Sequence, residues 1–284
     1  MKIRQQAAPV PNPMPMPTPA EEIGAFAGDP DFMTSLARGV AVVRAFTRAR
    51  RNLTVAELAR KTGISRASVR RVLHTLSLLG YVASDGRAYS LAPKILTLGF
   101  SYLSSTRLAE TAQPLLERVS AAVQESCSLA VLDGDEIVYV ARSATRRIMS
   151  VSLNIGSRLP AYCTSMGRIA LAQLPPARLD HYLAHVNLRP LTARTIVSTA
   201  QLARAIAEAR KAGFSAVDQE LEIGLRSIAV AVTDSNGGLV ASMNVSAQAA
   251  RVTLRDMEKV FLPELRAAAH DLGLQLEGAG AAMV

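Results

Sequence analysis

The sequence predicts two folded units: an N-terminal winged helix-turn-helix and a larger α+β unit with a mainly antiparallel sheet. Three observations lead there. The formal charge of +9 on 284 residues is carried by one short segment. That segment has the order helix, helix–turn–helix, hairpin. Beyond residue 126, strand-like runs joined by hairpin turns mix with helices without a regular βαβ alternation. The length also suits about two domains.

Each element has a local reason. Residues 9–19 read PVPNPMPMPTP, with proline at every second position. Such a stretch supports neither helix nor ladder, so residues 1–31 are expected to form an extended, disordered tail. From Phe32 the spacing of Leu36, Val40, Val43 and Phe46 predicts a helix with Ser35 as its cap. Thr54-Val55-Ala56-Glu57 has the form of a capping box and opens a second helix. Gly63 suits a turn with positive φ. Ser65 then caps a third helix whose buried stripe is Val69, Val72, Leu73 and Leu76. Gly80 ends it, and residues 81–91 form a hairpin around Ser84-Asp85-Gly86-Arg87. Residues 32–94 therefore read as the winged helix-turn-helix, and 95–107 as a connecting helix.

The second unit is expected over 108–274, with a tail at 275–284. Strands are predicted at 128–132, 137–141, 148–153, 214–217, 227–232 and 239–245. Helices are predicted at 165–173, 177–185, 199–211 and 253–272.

The charge follows this division. Residues 34–95 hold twelve basic side chains against Glu57 and Asp85, net +10, whereas residues 96–284 hold eighteen against seventeen, net +1. A basic excess confined to a helix-turn-helix is the electrostatic footprint of a double-stranded DNA partner. In the third helix, Ser65, Arg66, Ser68, Arg70, Arg71 and His74 lie off the buried stripe. Arg66 and Arg70 are one turn apart. With Ser68 they are assigned to base edges, because arginine addresses guanine with two hydrogen bonds. Arg71, His74 and the hairpin-tip Arg87 are assigned to the phosphate backbone, with the minor groove also open to Arg87.

Other function classes find less support. Cys127 and Cys163 make no disulfide framework and have no zinc spacing. No apolar run approaches a membrane span, and the N-terminus lacks a signal-like apolar region, so a cytoplasmic protein is expected. Gly213-Phe214-Ser215-Ala216-Val217 approaches a nucleophile elbow but lacks the final glycine. His181 and His185 have i,i+4 spacing, yet Tyr182 stands where a zincin carries Glu. No nucleophile, base and orienter come together, so no enzyme, metal or cofactor is assigned. A non-specific architectural protein would give no reason for the second, near-neutral unit.

At this point the chain resembles the IclR family of bacterial transcription factors, in particular its aromatic-catabolism branch. The pieces that carry the resemblance are SLARGVAVVRAF at 35–46, ELARKTGISRASVRRVLHTLSLLGYV at 57–82, GSRLPAYCTSMGRIALAQLP at 156–175, DQELEIGLRSIAVAV at 218–232 and MNVSAQAARVTL at 243–254. The resemblance implies a winged helix-turn-helix joined by a helix to a GAF-like effector-binding domain. It also implies self-association as dimer or tetramer, with the connector around Leu96–Leu103 as the seam. RNA polymerase is a further partner where the outcome is activation. Regulation of another carbon-source pathway is the alternative reading. Gly213, Glu220 and Ser227 match the family's effector-domain signature, but Val217 occupies its acidic position, with Asp218 beside it. The loss of that acid and of a Cys at Ser227 implies a pocket unsuited to glyoxylate-like ligands.

The effector site is expected where Thr164-Ser165-Met166-Gly167 opens a helix, because first-turn amides and the helix dipole attract a carboxylate. The resemblance adds the strands at Ser227 and at Asn244–Ser246. Met149, Leu153 and Met166 would wall an aromatic ring. Tyr162, Asn244 and Ser246 would bond its hydroxyls, and Arg142 would serve as counter-charge. The ligand expected is a small aromatic or dicarboxylic acid, such as a hydroxybenzoate or a β-ketoadipate-like compound.

Overall fold

The computed structural model describes residues 18–47, 50–105, 107–144 and 153–278. It divides into two compact units at Ser101/Tyr102.

The first unit begins earlier than expected. Residues 19–31, assigned to an unstructured tail, include helix α1 (Pro19–Gly24), closed by a capping box between Thr18 and Glu21. Ala20 and Ile23 pack against the core of this unit, and that burial fixes so short a helix. Helix α2 (Thr34–Arg44) follows with Met33 at its cap position and no side-chain cap, so Ser35 lies inside the first turn and does not cap it.

Helix α3 (Val55–Thr62) starts at the expected capping box, where Thr54 N donates to Glu57 Oε2 (2.9 Å) and Glu57 N donates to Thr54 Oγ1 (3.3 Å). Gly63 ends it at φ 73°. A side chain there would strain the backbone and press on Ala20 Cβ and Thr18 Oγ1, each 3.0 Å from the Cβ position. Helix α4 (Arg66–Leu78) is capped by Ser65, and strands β1 (Val82–Ser84) and β2 (Tyr89–Leu91) form the wing. Leu53 pairs with Tyr89 through both backbone hydrogen bonds at 2.9 Å, which ties the wing to the start of α3. Val42, Leu53, Leu58, Val69, Leu73 and Val82 fill the core between these elements.

Helix α5 (Leu96–Ser105) straddles the division of the chain, within the segment assigned to the connector at 95–107. Leu96, Leu98, Phe100 and Tyr102 on it are exposed.

In the second unit, α6 (Leu108–Val123) leads into a six-stranded antiparallel sheet in the order β5-β4-β3-β8-β7-β6. The strands are β3 (Ser126–Asp133), β4 (Glu136–Ser143), β5 (Arg158–Pro160), β6 (Ser215–Asp218), β7 (Leu225–Thr233) and β8 (Leu239–Gln248). Strand β5 lies outside the expected strand ranges. The strand expected at 148–153 lies almost wholly outside the described residues. Helices α7 (Ser165–Gln173), α8 (Pro176–His185) and α9 (Thr199–Ala212) follow the sequence reading closely. At the C-terminal end α10 (Leu254–Asp256) passes through a π-helical turn (Met257–Phe261) into α11 (Leu262–Gly278), beyond the expected end at 272.

Two cores lie on the two faces of this sheet. Cys127, Leu129, Ile228, Val230, Met243 and Val245 face α6 and α11. The alternate residues face α7 and α9, as strand periodicity requires. No helix among the described residues is long and apolar enough to cross a membrane.

Candidate functional site

On the first unit, α4 presents Arg66, Arg70, Arg71 and His74 to solvent, with Val69 and Leu73 buried on its other side. Ser65 Oγ accepts from Ser68 N (3.3 Å) and donates to Ser68 Oγ (3.1 Å), so the first turn is locked by its own serines. Ser68 is half-buried and, with Arg71, borders a groove against Leu36, Val72 and Leu76, whereas Arg66 and Arg70 stand clear of it. At the wing tip Asp85 Oδ1 accepts from Arg87 N (2.9 Å) and Ala88 N (2.7 Å). These bonds, with the Arg87 charge, hold the Asp85 carboxyl below its ordinary value and fix the turn that exposes the Arg87 side chain. Caps and turns thus set rigid backbone beneath a surface of cations, which is what a phosphate polymer requires.

The second unit encloses a small cavity between the sheet and the start of α7. Register builds it. Ser128 pairs with Arg142 on one side and Asn244 on the other; in the next row Ser126 pairs with Ser246, Ser246 with Ser227, and Ser227 with Val217. All of these side chains line the cavity, together with Tyr139, Leu153, Cys163, Thr164, Ser165, Met166, Leu221 and Leu225. A β-bulge lets Tyr139 and Arg142 meet there. Ala130 pairs with Tyr139 while Leu129 pairs with Ala141, so β4 carries one extra residue. Three residues apart, they would otherwise point to opposite faces. Burial pushes the Tyr139 phenol up to about 12, opposed by the Arg142 charge nearby.

The start of α7 is held from three directions. Thr164 Oγ1 donates to Pro160 O (3.0 Å) and accepts from Gly167 N (3.2 Å). Gly167 packs so closely that a Cβ would lie 2.3 Å from Ala161 Cα and O. The Arg168 guanidinium is buried and bidentate on Glu220, both contacts at 2.8 Å, with a third bond from Nη2 to Tyr162 O at 2.8 Å. The signature residue Glu220 therefore positions the helix and does not line the cavity.

Of the nine expected effector residues, Arg142, Thr164, Ser165, Met166, Ser227, Asn244 and Ser246 share this wall. Met149 lies outside the described residues. Tyr162 is a correction: its hydroxyl donates to Arg189 O (2.8 Å) and accepts from Arg189 N (3.1 Å), so it pins the following loop away from the cavity. Tyr139 supplies the phenol instead; the bulge hid it from simple alternation. Ser126 and Ser128 also line the cavity, as the alternates of the core residues Cys127 and Leu129 along β3. Asp218 does not replace the missing acid at Val217. It lies on the other side of β6 and pairs with Arg226 (2.5 Å) and Arg194 (2.5 Å).

Three buried atoms on the wall, Arg142 Nε, Ser165 Oγ and Asn244 Oδ1, have no hydrogen-bond partner among the described residues. Asn244 Nδ2 donates to Ser246 Oγ (3.1 Å), which leaves its carbonyl aimed elsewhere. A donor with a positive charge, an acceptor and a hydroxyl, all buried, suit a ligand with an anionic end and a hydroxyl or carbonyl group. Burial pushes the Cys163 thiol up to about 12, which favours the protonated form.

A DNA-reading unit followed by a unit with an enclosed polar cavity is the organisation of a transcriptional regulator. The chain belongs to the IclR family: residues 35–86 match the IclR helix-turn-helix domain and residues 100–274 match the bacterial transcriptional regulator IclR C-terminal domain. It is 54% identical over 261 residues to the Pca regulon regulatory protein of Pseudomonas putida, covering 92% of this chain and 90% of that one. It is 34% identical to the p-hydroxybenzoate hydroxylase transcriptional activator of Acinetobacter baylyi, over 85% of this chain and 91% of the other. Among solved structures, an IclR homolog from Microbacterium hydrocarbonoxydans complexed with 4-hydroxybenzoate superposes with a TM-score of 0.76 at 25% identity, over 86% of this chain and 99% of its own. The chain is a DNA-binding transcriptional regulator of the aromatic-catabolism branch of this family.

Proposed function

We propose that the second unit binds a small organic acid, a hydroxybenzoate or a β-ketoadipate-like dicarboxylate, and that this controls operator binding by the first. The observation that carries the reading is the cluster of unpartnered Arg142 Nε, Ser165 Oγ and Asn244 Oδ1 on one wall. Arg142 and the start of α7 take the carboxylate, and Asn244 with the serine row takes the oxygen groups. Leu153, Met166, Val217 and Leu221 supply apolar walls.

The cavity measures about 20 Å³, scarcely more than one water needs. An organic acid is far larger, so its binding selects an arrangement in which these walls part. A ligand with different affinity for two arrangements shifts the balance between them, and that is the physical content of induction. The exposed Leu96, Leu98, Phe100 and Tyr102 of α5 support pairing of two chains, which sets two DNA-reading heads against two half-sites. RNA polymerase is the partner where the outcome is activation. On DNA, Arg66, Arg70 and Ser68 read bases, while Arg71, His74 and Arg87 hold phosphates.

Thermal melting in the presence of aromatic and dicarboxylic acids tests the ligand class. A binder raises the melting temperature progressively with concentration, and Arg142→Met abolishes the rise while melting normally by itself. No shift with any such acid, alongside a shift with an unrelated metabolite class, overturns the reading.

A further inference from the structure

Outside both sites, α8 carries an unused pair of metal-ligating side chains. His181 and His185 are one turn apart and exposed, while Tyr182 between them is buried in the core with Leu179 and Leu183 packed beside it. The helix is therefore held from its inner side and presents both imidazoles outward on one face.

The ring geometry is close to that of a chelate. The ring centroids are 4.3 Å apart with planes inclined by 35°. A zinc–nitrogen bond of about 2.1 Å puts the centre of each imidazole roughly 3 Å from the ion, so two rings sharing one ion stand about 4.5–5 Å apart. The observed 4.3 Å is close to that separation, so rotation of exposed side chains is what would bring both rings onto one ion.

A second observation fixes the chemistry of one ring. His185 Nδ1 lies 2.8 Å from His181 O. A carbonyl only accepts, so Nδ1 donates its proton there, and in the neutral ring the lone pair falls on the outward Nε2. Orientation of a ligating histidine through its other ring nitrogen is how proteins commonly prepare such a residue for a metal.

We propose that His181 and His185 form a two-point site for a divalent transition ion such as Zn²⁺ or Ni²⁺, with water completing the coordination. Two neutral nitrogen donors without a carboxylate do not suit Mg²⁺ or Ca²⁺, which need oxygen ligands. The cysteines do not compete, because burial pushes both thiols up to about 12 and keeps them protonated. Among the described residues no group of three or more His, Cys, Asp or Glu side chains is placed to hold an ion. The site is thus an open surface chelate, distinct from the closed cages of structural zinc. As a metalloprotease motif the pair fails for want of a glutamate; as a plain chelate it needs none.

Calorimetric titration of the chelator-treated, dialysed full chain with ZnCl₂, NiCl₂ and MgCl₂ tests this. One Zn²⁺ or Ni²⁺ per chain and no Mg²⁺ is expected. His181→Ala and His185→Ala should each weaken binding at least tenfold, the rough lower cost of losing even an outer-shell partner of a metal ligand. Their metal-free melting curves should match the parent, which separates loss of a ligand from loss of the fold. The other two histidines serve as controls: His74→Gln and His270→Gln should bind as the parent does. Absence of Zn²⁺ and Ni²⁺ binding, or binding insensitive to His181→Ala and His185→Ala, overturns the site. So does binding lost in either control.

Discussion

The two units deploy polar side chains in opposite ways. In the first, Arg66, Arg70, Arg71, His74 and Arg87 stand in solvent above a small apolar core. In the second, Ser126, Ser128, Ser227 and Asn244 are buried between a sheet and a helix. The difference follows from the partner. A duplex is a large anion met at a surface, so exposed cations suffice and water remains on their other side. A small ligand must be surrounded, so its partners are desolvated in advance and the surrounding structure must hold them.

The largest test of this contrast is the buried ion pair. Glu220→Ala leaves the Arg168 guanidinium buried without its carboxylate, and should cost about 3–5 kcal/mol. In urea unfolding followed by probes in each unit, the second unit's transition should move to lower denaturant while the first keeps its midpoint. A shared shift would show that the units do not unfold independently.

Next comes the division of labour on DNA. Arg66→Ala should cost roughly 1–3 kcal/mol on the operator and relax preference for the contacted base. Arg87→Ala should weaken all sequences alike and reduce the salt slope by about one. Binding measured on the operator and on scrambled DNA over a range of salt separates the two. Equal losses on both DNAs for both variants would remove the distinction.

A smaller effect concerns the helix that supports the reading head. Thr54→Ala removes the capping box of α3 and should cost about 1 kcal/mol, in the first unit alone. Thermal melting checks it, with the effector-induced shift unchanged.

The smallest is the acid response of the second unit. Hydrogen bonds from Arg226, with the charge of Arg194, hold the Asp218 carboxyl below its ordinary value of 3.8. A carboxylate with a depressed folded-state value stabilises fully above 3.8, and the contribution is lost as pH falls below it through the folded-state value. Asp218→Asn should therefore flatten the decline of urea stability as pH falls below ~4, and at neutral pH it should lose only the contribution of a partly exposed ion pair.

How much was legible can be argued from particular residues. The first unit was readable because its signals are local. Thr54-to-Glu57, Gly63 and Ser65 act within a few residues of themselves, and the basic excess is counted without any fold. Even there, α1 was missed: Thr18-Pro19-Ala20-Glu21 carries a capping-box signal, but it directly follows a proline-rich stretch, and packing of Ala20 and Ile23 adds to the cap in holding so short a helix. In the second unit the alternation of Ser126/Ser128 with Cys127/Leu129 and the serine-rich strands were visible as patterns. Which pattern faced which neighbour was not.

The sequence by itself determined the order of elements, the helix termini, the segregation of charge and the family. Those depend on short-range capping, period and composition. Only the tertiary structure decided that Tyr139 and not Tyr162 belongs to the cavity, and that Glu220 supports α7 from outside it. It alone placed Arg142 on the same face as Asn244. The reason is that a bulge, a cross-strand register and a buried ion pair are relations between residues far apart in the chain. Their energies exist only once the sheet has formed.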